Sequence, residues 1–140
     1  MKEIKIGNKK YKLQYGYAVI ARGKVLSHAM KLQEMFNGEG KEDVDFFSQM
    51  SEIMDSLGEM LLAALQKNHR DEFGYNVRTG NGHDEAIEKV FDLLDRYFDT
   101  DDADTMELFG TLFDELESNG FLRHLAQDIK ENTEPENQTE

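Results

Sequence analysis

The chain has 140 residues, 39% of them hydrophobic, with nine Phe, five Tyr and no Cys. That is enough apolar material for a single core of ordinary domain size, and it excludes a disulfide framework, a thiolate metal site and a cysteine nucleophile. The formal net charge of −13 argues against nucleic acid as a ligand, because phosphate binding needs clustered positive side chains.

The charge is unevenly placed. Residues 1–31 carry eight Lys and Arg against Glu3 alone, a net +7, and the remaining 109 residues carry −20. No window holds the roughly 18 apolar residues of a membrane span and no apolar signal segment opens the sequence, so a soluble cytoplasmic protein is expected.

Ile4 and Ile6, then Tyr11, Leu13 and Tyr15, alternate with polar residues, the period of a half-buried strand. With turn chemistry at Gly7, Asn8 and Lys9, a β-hairpin over 3–15 is predicted. Two strands alone are marginal in water, so its apolar face should lie on helices, with the lysines projecting outward.

After Gly16, the residues Val19, Ile20, Gly23, Leu26, Met30 and Gln33 fall at helical intervals, predicting one helix over 17–36 that stops at the turn "NGEGK". Phe46, Met50, Ile53, Leu57, Met60 and Ala64 then step by fours and threes, predicting a central helix over 44–67 with a wide apolar face. Residues 68–83 show no period and read as a solvated connector whose first turn prolongs that helix towards Gly74.

From Asp84, read as the N-cap, Ile87, Val90, Phe91, Leu94, Tyr97 and Phe98 predict a third helix. A fourth starts near Asp104 or Thr105, with Glu107 suiting its positive end, and stops at "SNG". A short apolar piece holds Phe121, Leu122, Leu125 and Ile129. The last ten residues should be a disordered acidic tail. The fold class is therefore mainly α, an α+β protein with an N-terminal hairpin and four to five amphipathic helices in a compact bundle, forming one domain over 1–130.

Chemistry-bearing patterns are sparse. "DTDDADTMELFG" alternates acids but misses the glycine and the closing glutamate of a calcium loop, and cap and surface roles explain it. The four histidines, His28, His69, His83 and His124, have no metal-ligand spacing and read as surface residues. "RTGNGHDE" lacks the Lys-Ser/Thr ending of a phosphate loop and reads as turn and cap. No catalytic residue, metal or cofactor is expected. Met50, Met54 and Met60 lie on the central apolar face, where polarizable side chains suit either core or an adaptable binding surface. Lys9, Lys10 and Lys12 on the head and Asp101 and Asp102 at the far end are the charged candidates for partner binding.

Four segments in order, "IKIGNKKYKLQYGYAVIAR", "LLAALQKNHRDEFGY", "VFDLLDRYFD" and "MELFGTLFDELESNGFL", resemble the tail assembly chaperones of long-tailed phages with non-contractile tails, of the type common in phages and prophages of low-GC Gram-positive bacteria. The resemblance implies a non-enzymatic protein of the host cytoplasm, absent from the mature virion. It would hold the tape-measure protein soluble and recruit tail-tube subunits, with homo-oligomerisation left open and no nucleic acid or membrane as partner. Two other classes remain: an acidic regulatory protein that mimics nucleic acid towards a basic partner, and a small hydrolase assembled from scattered His and carboxylates.

Overall fold

The computed structural model describes residues 2–22, 24–36, 46–100 and 102–118. It is mainly helical, with strands β1 (Lys2–Ile6) and β2 (Lys9–Leu13) followed by helices α1 (Tyr17–Arg22), α2 (Val25–Phe36), α3 (Phe46–Leu65), α4 (Arg70–Phe73), α5 (His83–Phe98) and α6 (Thr105–Glu117). The turn "NGEGK", the apolar piece after "SNG" and the acidic tail lie outside the described residues.

The hairpin forms as the alternation predicts, with Ile4 opposite Tyr11 and Ile6 opposite Lys9. Its turn is two residues long, so Lys9 belongs to β2. Gly7 at φ +66 fills the first central position, where a type II′ turn favours glycine. Ile6, Tyr11, Leu13 and Tyr15 are buried and Ile4 is partly buried, each buried large side chain contributing about 1.5–3 kcal/mol. The Tyr15 hydroxyl donates to the Met60 carbonyl at 3.0 Å, which satisfies the polar end of a buried ring.

The single helix predicted over 17–36 is two. Lys24 sits at φ +60, the only non-glycine among the described residues with positive φ, and ends the first segment. The break resets the helical phase. Val25, Ala29 and Leu32 turn inward, whereas Leu26 and Met30, expected on the apolar face, are 42% and 59% exposed. A continuous 3.6-residue count carried across the break therefore picks the wrong face.

α3 is the centre of the core, with Leu57, Met60, Leu61, Leu62, Ala64 and Leu65 inaccessible to solvent. A helix C-terminus leaves its last four carbonyls without intrahelical donors, and here each finds one. Leu62 accepts from the Gln66 side-chain amide, Ala63 from the Gln66 backbone, Ala64 from Gln14 N–H and Leu65 from His69 N–H. Gln66 therefore ends the helix rather than extending it. Its amide also donates to the Phe73 carbonyl at 2.7 Å, and its oxygen accepts from Tyr75 N–H.

The connector is consequently not a prolongation of α3. It holds the separate short helix α4, buries Phe73, and tightens through Asn76, whose side-chain oxygen accepts from the N–H groups of Arg78 and Thr79. Gly82, left-handed at φ +88, is the N-cap of α5, and no side chain caps that helix. Asp84, predicted as the cap, lies one residue inside the first turn, where its charge still suits the helix dipole. Asp104 does cap α6, accepting from Met106 N–H at 3.2 Å.

Candidate interaction groove between α3 and α5

Helices α3 and α5 pack closely because α3 carries Gly58 at the contact. A Cβ there would stand 2.7 Å from Cε1 of Phe91. Phe91 lies across the glycine and begins a stripe, Phe91, Leu94 and Phe98, at three- and four-residue spacing along α5. With Met54 of α3 they floor an open groove of about 530 Å³. Met54, Phe91 and Phe98 are half-buried, already packed on the core yet still reachable from solvent. The rim is formed by the exposed carboxylates Glu52 and Asp55 on one side and Asp95 on the other, and among the described residues the lining contains no basic one. An apolar floor two helical turns long between acidic walls is the shape and charge that accept one face of a basic amphipathic helix.

The predicted binding residues divide. Met54 is in the groove and Met50 is half-buried one turn before it on α3, whereas Met60 is fully buried and belongs to the core. Lys9 is exposed but engaged within the chain. Its Nζ meets Glu72 Oε1 at 2.9 Å and lies 5.1 Å from the centre of the Tyr11 ring, and the Glu72 hydrogen bond raises the Lys9 pKa. Lys10 and Lys12 are exposed on the outer face of the hairpin, opposite Lys5 and Glu3. Asp102 lines a second open groove beside β1, far in sequence from the methionines, and Asp101 lies outside the described residues.

The histidines are not free surface groups. His69 Nε2 accepts the N–H of Lys12 at 2.9 Å, His83 Nε2 meets Glu59 at 2.9 Å, and His28 Nδ1 lies 3.2 Å from Ser56 Oγ. His124 lies outside the described residues. Burial lowers the pKa of His28, with Glu59 acting in opposition, and burial followed by the charge of Lys9 lowers that of His69. The Ser56–His28 contact has the separation of a nucleophile and its base, but Ser56 is 1% exposed. Its hydroxyl is closed off from solvent, and the pair ties α2 to α3. Among the described residues no three His, Asp or Glu side chains are placed to hold a metal ion, and no helix is long and apolar enough to cross a membrane.

Sequence reasoning reached Met54, Phe91, Leu94 and Phe98 as apolar positions but did not bring them together. The signal available was Gly58 inside the strongest helical pattern, since a glycine within a helix often marks a close approach. No protein-family model, curated protein or solved structure matches the chain.

Proposed function

We propose that the chain is a phage tail assembly chaperone, a non-enzymatic protein of the host cytoplasm that holds tape-measure protein in soluble form and recruits tail-tube subunits to it. The observation that supports this reading is the α3–α5 groove. A long helical client rich in apolar heptads needs a shallow, adaptable apolar surface, and Met54 with three α5 side chains provides one. The net charge of −13 keeps such complexes dispersed, and the acidic rim selects helices whose flanks are basic.

The test is co-expression with the tape-measure protein from the same genome. The chaperone should raise the soluble fraction of that protein and co-purify with it, and Met54→Glu should abolish both effects. No gain in solubility and no co-purification would reject the proposal.

A second reading has one specific observation in its favour. Asp84, Glu88, Asp92, Asp95 and Asp99 are all exposed along α5, a carboxylate row at three- and four-residue spacing that resembles a phosphate backbone. It predicts competition with DNA for a cationic protein, which a tail chaperone does not require.

A further inference from the structure

The two long edges of the hairpin differ. In a hairpin with a two-residue turn, the pairs Ile6–Lys9, Ile4–Tyr11 and Lys2–Leu13 exchange the ladder hydrogen bonds. The backbone groups of Lys10, Lys12 and Gln14 on β2, and of Glu3 and Lys5 on β1, therefore point away from the ladder. On the β2 side two of the outward amides are taken: Lys12 N–H goes to His69 and Gln14 N–H to the Ala64 carbonyl. On the β1 side no described group pairs with the backbone of Glu3 or Lys5. That edge opens onto a groove of about 500 Å³ whose walls include Tyr97, Leu108, Asp102 and Glu107.

An exposed strand edge is a template for another strand, and the charges along β1 specify which one. Lys5 is directly opposite Lys10 in its own hairpin, a like-charge pair that is unfavourable. An antiparallel second copy of β1 can be placed in three central registers. Centred on Glu3 it sets Glu3 against Glu3, and centred on Lys5 it sets Lys5 against Lys5. Centred on Ile4 it sets Glu3 of each copy against Lys5 of the other, twice by symmetry.

The last register also matches the ladder, because Glu3 and Lys5 are the residues with outward backbone groups and would exchange both hydrogen bonds. Each Lys5 then lies between Lys10 and a carboxylate. Lys2 of the second copy, on the helical side of its sheet, enters a groove walled by Asp102 and Glu107.

From these placements we infer that β1 is a self-association edge, on which two copies of this chain join by antiparallel β1–β1 pairing centred on Ile4 into a four-stranded sheet. The occupant is a second copy because the complementarity is internal to the strand. Its basic hairpin meets the acidic groove of the other copy, and the twofold makes the contact reciprocal. This extends beyond the α3–α5 groove and does not depend on the function proposed for it.

Sedimentation velocity on the full chain, over about 10 to 300 µM, tests the pairing. The wild type should show a concentration-dependent dimer. Glu3→Lys and Lys5→Glu each turn two attractive pairs repulsive and should weaken association about tenfold or more, and the double exchange Glu3→Lys with Lys5→Glu should restore it. Lys5→Pro removes only an outward N–H, which an edge strand tolerates, and should also give a monomer. Amide exchange at Ile6 and Leu13 checks that each variant keeps its hairpin. A wild type that stays monomeric over the range, a dimer indifferent to the single reversals or to Lys5→Pro, or a double exchange that fails to recover would each overturn the inference.

Discussion

His69 Nε2 accepts the backbone N–H of Lys12 at 2.9 Å, so a side chain from the loop after α3 stands where a third strand would hydrogen-bond to the hairpin. The acceptor must be unprotonated, and burial together with Lys9 lowers the His69 pKa below the usual 6.5. The folded state thus binds a proton less readily than the unfolded chain. Its stability contribution is complete above 6.5 and is lost as pH falls through the lower folded value; His28, also lowered, adds in the same direction. Thermal melts should show a Tm that declines as pH falls below about 6.5. The decline should be shallower in His69→Gln, whose side-chain oxygen accepts without titrating. Identical slopes for the two proteins would reject this role for Nε2.

Tyr15 is 2% exposed, and its hydroxyl donates to the Met60 carbonyl. Tyr15→Phe should cost about 1 kcal/mol in a urea titration. Burial, with the Glu115 charge second, raises the Tyr15 pKa far above its ordinary 10.0. The folded state keeps a proton that the unfolded chain gives up, so stability should fall as pH rises above 10. The fall should be smaller in the Phe variant, and an alkaline limb unchanged by the substitution would contradict the assignment.

Gly58 lets Phe91 lie across α3. Gly58→Ala gains up to about 1 kcal/mol in helix propensity but forces the ring outward, an overpacking that costs about 1–3 kcal/mol. The net expectation is a loss of about 1 kcal/mol, or roughly 3–5 °C in Tm. The displaced ring should also narrow the groove. A variant more stable than wild type would show that Phe91 relaxes without cost.

Met60 and Met54 lie six residues apart on α3 with different environments, one inaccessible to solvent and the other on the groove floor. Met60→Ala should lose about 2–5 kcal/mol through the cavity it leaves. Met54→Ala should lose clearly less stability and instead weaken capture of an amphipathic client helix. Equal destabilisation by the two substitutions would place Met54 in the core.

Where burial or a helix cap decides structure, the sequence was readable. The alternation of Ile4, Ile6, Tyr11, Leu13 and Tyr15 marked the hairpin, the fours and threes from Ile53 to Ala64 marked α3, and Asp104 marked the start of α6. The misreadings have a common cause in interactions that a helical period does not encode. Gln66 continues a helical pattern by propensity, yet it ends α3 because its amide finds the Phe73 carbonyl and the Tyr75 N–H. Lys24 looks like any helix-forming residue, yet its backbone is left-handed between α1 and α2. The partners of exposed Lys9 and of the half-buried histidines were not legible because Glu72, Lys12, Ser56 and Glu59 lie 24 to 63 positions away. The groove was visible as apolar positions but not as a groove, since a helical period does not say which helix lies alongside.

The partly occupied β2 edge has a consequence for behaviour at high concentration. Fibrillar stacking requires each molecule to offer two open strand edges, one to receive a neighbour and one to pass the pattern on. With His69 and Ala64 occupying the amides of Lys12 and Gln14, a strand adding to β2 would find two of the donors it needs already taken. Such an edge lengthens a stack less readily than β1 begins one, so stacking is biased to stop at the pair.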